Sequence, residues 1–380
     1  MKKLKFDREY FLDKLKKAYK FVPSASVIPA FENMRFTVIG NTMEILAADP
    51  ECQIKLYCNV KSTEDVSFCA PAHLLLKTVE LFLENEVTIT FKSEEKIELK
   101  CGKSKYNITL SCKYDQFPIM VMQKLQEESE FVIHQNDLRT GIKMSKKFIN
   151  ENSKAAVSAQ GINMNNVNEK IVFTGLDGFT LGRAEVSPLG IGSWHSNFII
   201  PEDSASKIAS MLNDKGEIVI AHHGEKMILF TDDRVEKFEI ITSSINSKFP
   251  DSEKLFSKKG SDNIIINTNE FKSAILRLKL YAGVDDSDKR IVVSFDGKET
   301  LVMTSQCNAY QRDGEEDMSV HGSDKLMRKA FNAESILKVL SCISSNEIAL
   351  YFNDNQNIPV FIQPVEEDNF CFIIGTVAVD

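Results

Sequence analysis

Apolar residues recur at helical spacing in three stretches of the chain, and polar residues fill the positions between them. These stretches begin near Asp7, Gln135 and Thr268. An apolar stripe that repeats every three to four residues is typical of an amphipathic helix with one buried face. The apolar positions are Leu12, Leu15 and Tyr19, then Leu138, Ile142 and Ile149, then Phe271, Ile275 and Leu278.

A second helix is predicted 64 to 66 residues after the start of each first helix. The second helices open at Pro71, Pro201 and Asn332, residue types that favour a helix N-terminus. Each is followed by a polar turn and an apolar strand, at 87–89, 218–220 and 348–350. The order of helix, strands, helix and strands therefore occurs three times.

The repeat predicts an α+β protein of three similar domains, each with two helices packed on antiparallel sheets. Two repeats end on Phe-Pro, at Phe117-Pro118 and Phe249-Pro250, and polar connectors follow. We place the domains at 1–127, 128–258 and 259–380. The alternative is an ordinary α/β enzyme in which the helices share this spacing by chance.

Composition favours a globular cytoplasmic protein. The 380 residues are 43% hydrophobic, and charged residues from Asp7 to Glu9 interrupt the N-terminal stretch before any long apolar run. The eight cysteines include no Cys-x-x-Cys pair, and several lie within apolar patterns. We expect buried, reduced thiols and no membrane association.

The charge of the chain is unevenly distributed. The net charge is -8, which argues against a nucleic-acid partner, yet the three first helices together carry +7. A basic stripe is often only a solvated helix face, but its recurrence in three repeats favours contact with DNA phosphates. Such contacts are independent of base sequence. The candidate DNA-facing residues are Lys16, Lys20, Arg139, Lys143, Lys146, Lys272, Arg277 and Lys279.

Several short segments, in this order and spacing, resemble the bacterial DNA polymerase III beta subunit family, the sliding clamps, over essentially the whole chain. The segments are Ile28-Pro29 with Asn33, Leu176-Asp177-Gly178-Phe179-Thr180-Leu181, Ile199-Ile200-Pro201, Lys248-Phe249-Pro250-Asp251, and Phe331-Asn332. The resemblance implies a ring-shaped processivity factor that encircles duplex DNA. It also implies a head-to-tail homodimer with six domains and twelve helices around the hole.

The size of a helix supports two chains per ring. Twelve helices about 10 Å wide, placed side by side, give a circumference of roughly 120 Å and a hole of about 28 Å. A duplex roughly 20 Å thick fits that hole. Six helices would leave only about 9 Å by the same estimate.

The resemblance also implies a pocket for short apolar peptide motifs of polymerases and clamp loaders, between the second and third domains. This chain has Phe179-Thr180 where the family usually has His-Arg, and its final residues differ as well, so the preferred motif stays open. The implied pocket residues are Ala159, Leu176, Gly178, Phe179, Thr180, Leu181, Pro250, Lys254, Leu255, Pro359, Ile373, Gly375, Thr376 and Val377. The alternative is that these residues bind no partner and only form the core of an interface between domains.

Dimerisation requires edge strands to pair between subunits. The positions that match the family are Tyr106 and Ile108 in the first domain, against Leu280 and Tyr281 in the third. Because a closed ring cannot thread itself onto circular DNA, an ATP-driven clamp loader is expected beside the replicative polymerase. The rival hypothesis is a peptide-binding scaffold of the same fold that never encircles DNA.

The sequence does not favour catalysis. It contains no phosphate-binding Gly-x-x-x-x-Gly-Lys-Ser/Thr loop, no Gly-x-Ser-x-Gly and no His-Glu-x-x-His. Adjacent residues on a strand point to opposite faces, so His222 and His223 are unsuited to gripping one metal ion together. Asp232-Asp233 and Asp285-Asp286 are interpreted as solvated turns rather than a magnesium site. We expect no cofactor and no metal.

Overall fold

The structure is a computed structural model that describes residues 2–122, 129–150, 156–191, 197–231, 237–283, 289–353, 355 and 358–377. Asp232, Asp233, Asp285 and Asp286 lie outside these residues. The chain divides into two compact units. Unit 1 comprises Met1–Leu138, Pro188–His195 and Asp203–Ser244, and unit 2 comprises Arg139–Ser187, Ser196–Glu202 and Ile245–Asp380. The three-domain boundaries stay a prediction.

All six predicted helices are confirmed, and their starts agree with the sequence to within one residue. These six are α1 Arg8–Tyr19, α2 Ala72–Glu80, α3 Gln135–Lys146, α4 Glu202–Ala209, α6 Thr268–Lys279 and α7 Ala333–Leu340, and a short seventh helix, α5 Glu253–Phe256, was not predicted. The side chains of Asp7, Asn267 and Asn332 accept backbone N–H bonds at the starts of α1, α6 and α7. Such N-caps define where a helix begins.

Each predicted domain contains nine strands within the described residues. The first has β1 Lys3–Asp7, β2 Asn33–Ile39, β3 Thr42–Ala48, β4 Cys52–Asn59, β5 Lys61–Ser62, β6 Val66–Pro71, β7 Glu86–Ser93, β8 Lys96–Cys101 and β9 Ser104–Thr109. The second has β10 Ser129–His134, β11 Gly161–Val167, β12 Lys170–Leu176, β13 Thr180–Val186, β14 Gly190–Ile191, β15 Phe198–Pro201, β16 Glu217–His223, β17 Lys226–Phe230 and β18 Phe238–Ser243. The third has β19 Asn263–Asn267, β20 Arg290–Phe295, β21 Thr300–Cys307, β22 Arg312–Ser319, β23 His321–Gly322, β24 Met327–Asn332, β25 Glu347–Tyr351, β26 Val360–Pro364 and β27 Phe370–Ile374.

These strands form four antiparallel sheets, two in each unit. Unit 1 has the orders β5-β1-β7-β8-β9 and β14-β10-β16-β17-β18-β4-β3-β2-β6, and unit 2 has β15-β11-β12-β13-β27-β26-β25-β19-β23 and β22-β21-β20-β24. The predicted α+β class is therefore confirmed. The two nine-stranded sheets join strands of different repeats, at β18 with β4 and at β13 with β27.

Two glycines allow the end of the second repeat's first helix to pack closely on the nine-stranded sheet of unit 2. A Cβ atom at Gly182 would lie 2.1 Å from the Phe148 ring, and one at Gly175 would lie 2.0 Å from the carbonyl oxygen of Ser145. Any larger residue would collide with these atoms, because packed interiors leave no spare volume. This packing supports β12 and β13, the strands that flank the Asp177–Thr180 turn.

The predicted burial of the cysteines is wrong for three of them, and their reduced state stays a prediction. All eight thiols are free, but Cys112, Cys342 and Cys371 are only half-buried. Cys112 follows the end of β9 and Cys342 follows the end of α7, whereas Cys371 lies on the interior strand β27 at a position that alternates with buried Phe370 and Phe372. In the described part of the chain, no helix is long and apolar enough to cross a lipid bilayer.

Candidate functional site

An apolar cluster in unit 2 brings together four of the pocket residues that the sequence singled out. Leu181 and Ile373 are paired across β13 and β27, and both are buried with Phe361 from β26. We call this group the Leu181 cluster. The half-buried side chains packed on it are Leu176, Leu255, Phe256, Tyr351, Ile358 and Cys371.

The turn between β12 and β13 presents Phe179 to solvent. The Asp177 carboxylate accepts hydrogen bonds from the backbone N–H of Phe179 at 2.8 Å and from that of Thr180 at 2.6 Å. It also accepts a hydrogen bond from the Thr180 hydroxyl at 2.6 Å. Gly178 has a φ of +100°, which favours glycine there. The Phe179 side chain is 74% exposed, although it is a large apolar group beside a buried apolar cluster.

Lys338 of α7 contacts this turn through an ion pair. Its ammonium donates to the Asp177 carboxylate at 2.6 Å, and the Asn150 amide donates to the Asp177 carbonyl at 3.0 Å. Burial acts to raise the pKa of Asp177, but the hydrogen bonds from Lys338 and Thr180 outweigh it and hold the pKa below its usual range. The carboxylate is therefore charged at neutral pH.

The C-terminal segment lies against the same turn. The Gly375 amide donates to the Phe179 carbonyl at 2.8 Å, and the Val377 amide donates to the Ala330 carbonyl of β24 at 2.9 Å. Val377 keeps 36% of its surface exposed. Backbone pairing thus holds Gly375 beside Phe179 and Val377 beside β24, and the role of Gly375, Thr376 and Val377 in a pocket stays a prediction.

Other implied pocket residues surround these groups less directly. Pro250 and Lys254 are exposed around the start of α5, which supplies Leu255 to the cluster. Pro359 follows Ile358 and is half-buried, whereas Ala159 is buried within a short helical turn at Val157–Gln160. The structure does not place Ala159 within the Leu181 cluster.

Sequence reasoning missed two cation and aromatic pairs at the cluster. The Arg183 guanidinium lies 4.6 Å from the Phe256 ring centre, and the Lys259 ammonium lies 3.7 Å from that of Tyr351. Arg183 is also ion-paired with Glu253 at 2.8 Å. Alternation along β13 could have found Arg183, since it shares a face with Leu181.

The candidate DNA-facing cations include several that are ion-paired with acidic side chains. Lys16 of α1 lies 3.0 Å from Glu80 of α2, Lys146 of α3 lies 2.5 Å from Glu202 of α4, and Lys279 of α6 lies 2.7 Å from Glu334 of α7. The same pair of helices is bridged in all three repeats. Arg277 additionally makes a bidentate pair with Glu316 at 2.6 Å.

The remaining basic positions differ in their surroundings. Lys20 donates to the Ser210 carbonyl at 3.1 Å, Lys143 is exposed, and Arg139 and Lys272 are half-buried. Among the basic residues counted in the first helix, Lys14 is buried beside the Tyr10 ring and Arg8 donates to backbone carbonyls. The +7 of the first helices therefore overstates the charge available on the surface.

Lys16 and Lys77 both donate to Glu80 at the end of α2. Their hydrogen bonds lower the pKa of Glu80 to about 2, so this carboxylate stays charged. Exposed ion pairs of this kind are weak and exchange readily. A phosphate could therefore replace Glu80 as the partner of Lys16.

Of the four candidate dimer residues, Tyr106, Leu280 and Tyr281 expose 52%, 71% and 45% of their surfaces. Ile108 is only 2% exposed, so its side chain belongs to the core of unit 1 and only its backbone lies on the edge strand β9. Alternation along β9 could have separated it from the exposed positions.

An apolar cavity of 470 Å³ lies beside Tyr106 at the end of α2. Its lining includes the exposed residues Leu74, Leu81 and Leu83. The sequence analysis did not identify these three leucines as exposed. Their positions outside the buried stripe of the second helix could have indicated it. They extend the exposed apolar surface around β9.

The histidine pair sits at a hairpin end. His222 pairs with Met227 and His223 with Lys226 on the neighbouring strand, and His222 is half-buried while His223 is exposed. Burial lowers the pKa of His222. Within the described residues, no group of three His, Cys, Asp or Glu side chains could hold a metal ion.

Comparison with known proteins gives one consistent family. Residues 2–121 match the model of the DNA polymerase III beta subunit N-terminal domain, and residues 253–375 match that of its C-terminal domain. The chain is 22% identical to the beta sliding clamp of Rickettsia felis over all of both chains. It is 21% identical to that of Chlamydia pneumoniae over 90% of both chains.

Solved structures agree in fold over the full chain. A DNA polymerase sliding clamp from Pseudomonas aeruginosa superimposes with a TM-score of 0.88 at 17% identity, and one from Bacillus subtilis with 0.87 at 16%. Both comparisons cover all of this chain and all of the other. The antiparallel sheets and paired helices therefore form the sliding-clamp fold.

Proposed function

The chain belongs to the DNA polymerase III beta subunit family, and we propose that two copies of it close head to tail around duplex DNA. We also propose that each copy binds its protein partners at the Leu181 cluster. It is a beta sliding clamp, the processivity factor of DNA polymerase III, and this family is non-catalytic. Its partner is accordingly the polymerase, which it keeps on the template.

The observation that carries the pocket proposal is an exposed Phe179 beside the buried Leu181 cluster. Apolar peptide anchors bind in concave apolar surfaces whose edges supply a few polar groups. Here the cluster supplies the floor, the Asp177–Thr180 turn supplies one edge and the Gly375–Val377 segment supplies backbone beside it. A Leu or Phe side chain of a polymerase or a clamp loader is the expected anchor.

The basic side chains of α1, α3 and α6 support the proposal that first helices face duplex DNA. Lysine and arginine contacts to phosphates do not depend on base sequence, so a clamp that uses them can slide. Pairing with Glu80, Glu202 and Glu334 reduces the positive charge available. We infer that this reduction keeps the contact weak enough for sliding.

Two sheet edges support the head-to-tail dimer. β9 is the edge strand of one unit 1 sheet and carries exposed Lys105, with exposed Lys103 in the turn just before it, whereas β22 is the edge strand of one unit 2 sheet. The exposed acidic residues of β22 are Asp313, Glu315 and Asp317. Opposite charges favour pairing β9 with β22 of a second copy over pairing like edges, and Tyr106 and Leu280 would add apolar contact.

A closed ring cannot thread itself onto circular DNA, so it has to be opened by another protein. The sequence carries no phosphate-binding loop of its own, and we therefore propose a separate ATP-driven loader. We propose that loader and polymerase use the same pocket in turn. Free thiols and the replication role support action in the cytoplasm.

Substitution of Phe179 and Val377 by alanine tests the pocket. Both side chains are exposed, so the double variant should fold normally, yet it should bind polymerase about tenfold more weakly or worse because apolar anchors dominate such interfaces. Primer extension on circular template should then give short products. Val27→Ala, at a fully exposed valine, is the control. Products as long as those of the unaltered protein would contradict the proposal.

A further inference from the structure

The turn that presents Phe179 has a charged partner on another element, Lys338 of α7. Asp177 uses one carboxylate oxygen for the amides of Phe179 and Thr180, and the other for the Thr180 hydroxyl and the Lys338 ammonium. The ion pair is half-buried, with 31% of the Lys338 side chain and 18% of the Asp177 side chain exposed. All of these groups lie within unit 2.

Lys338 therefore connects α7 of the third repeat to a turn of the second. The ammonium also lies 5.4 Å from the Phe148 ring centre, so it sits between the packed helix end and the turn. On the far side of the turn, the Phe179 carbonyl accepts the amide of Gly375. A displacement of Asp177 would consequently move both Phe179 and the hydrogen bond that holds the C-terminal segment.

We propose that Lys338 is a positioning residue for partner binding: its ion pair with Asp177 holds the 177–180 turn, and with it Phe179, in the geometry that accepts an apolar peptide anchor. This inference rests on the proposed pocket and adds a residue that does not line it. Preorganisation of a binding loop raises affinity because the loop does not have to be ordered when the partner binds.

A purely structural role for Lys338 makes a different prediction. If the ion pair only stabilised unit 2, its loss would lower the melting temperature and leave the peptide affinity of the folded protein unchanged. A positioning role instead changes the affinity of a protein that is still folded, and restoring a positive charge at the same place should restore binding.

The test compares Lys338→Met, which keeps the length and packing of the side chain, with Lys338→Arg, which keeps the charge. The probe is a fluorescein-labelled synthetic peptide ending in Leu-Phe, with a peptide ending in Ala-Ala as its control, and binding is measured by fluorescence anisotropy. Lys325→Met, which breaks an ion pair with Asp262 elsewhere in unit 2, is the matched control variant. Asp177→Asn removes the same pair from the other side.

We expect Lys338→Met and Asp177→Asn to bind the Leu-Phe peptide about tenfold more weakly, and Lys338→Arg to stay within about a factor of two. Hydrogen exchange at the Phe179 and Thr180 amides should be faster in Lys338→Met, because their acceptor is less firmly held. Lys325→Met should leave both quantities unchanged.

Two outcomes would overturn the inference: Lys338→Met binds as tightly as the unaltered protein, or Lys338→Arg fails as badly as Lys338→Met. A different result separates this inference from the pocket itself. If the unaltered protein does not distinguish the Leu-Phe from the Ala-Ala peptide, the proposed pocket is wrong and the role of Lys338 falls with it.

Discussion

At the scale of single residues, exposure distinguishes side chains that can bind a partner from those that hold the fold. Phe179, Val377 and Leu280 are exposed apolar residues, whereas Ile373 and Ile108 are buried to within a few per cent. The sequence could group these residues by resemblance, but exposure depends on neighbours that are distant in sequence. Lys338 escaped prediction for the same reason, since Asp177 is 161 residues away.

Thiol reactivity gives a residue-scale prediction. Burial raises the pKa of Cys52 and of Cys58 to about 12, and that of Cys371 to about 11. The thiolate is the reactive form, so these thiols should resist alkylation at pH 8 and become reactive only as the pH approaches those values. Denaturation should expose all eight cysteines.

Iodoacetamide labelling with peptide mapping measures this directly. The folded protein should show unmodified Cys52 and Cys58, and the same protein in guanidinium chloride should show full modification. Rapid labelling of either thiol in the folded state would contradict the described burial.

At the scale of elements, helix starts were predictable and strand partners across repeats were not. Asp7, Asn267 and Asn332 cap helices by bonds to residues two or three positions ahead, so the signal is local. Pairing of β18 with β4, and of β13 with β27, joins segments separated by well over a hundred residues. No local pattern specifies such a register.

The bridges between first and second helices give an element-scale prediction. Replacing Glu80, Glu202 and Glu334 by glutamine should remove these ion pairs while preserving side-chain size, and so increase the positive charge that the lysines present to phosphates. The slope of log K against log salt for duplex binding should steepen, by up to about 0.9 for each lysine gained. Fluorescence anisotropy with a labelled duplex at several salt concentrations measures that slope.

The matched control makes the same change in net charge at exposed carboxylates. Its residues are Glu94, Glu95 and Glu299. If both triple variants give the same slope, total charge and not the helix bridges controls DNA binding.

At the scale of the whole molecule, the repeat was visible in sequence because each copy keeps its own helix spacing and turn residues. The α+β class and the family followed from that repeat and from a few short segments. The Leu181 cluster was predictable only in part, since Phe256, Tyr351 and Phe361 come from segments with no distinctive motif. Their proximity results from sheet pairing within unit 2.

A protein that encircles DNA should be retained on circular DNA and lost from linear DNA, because a closed ring can slide off a free end. After loading on nicked circular duplex by a clamp loader and ATP, the protein should co-elute with the DNA in gel filtration, and cutting the DNA once should release it. Leu280→Glu, placed at an exposed apolar position of the proposed dimer contact, should fail to be retained on either template. Equal retention of the unaltered protein on circular and linear DNA, fading with salt on both, would show that it binds DNA electrostatically without encircling it.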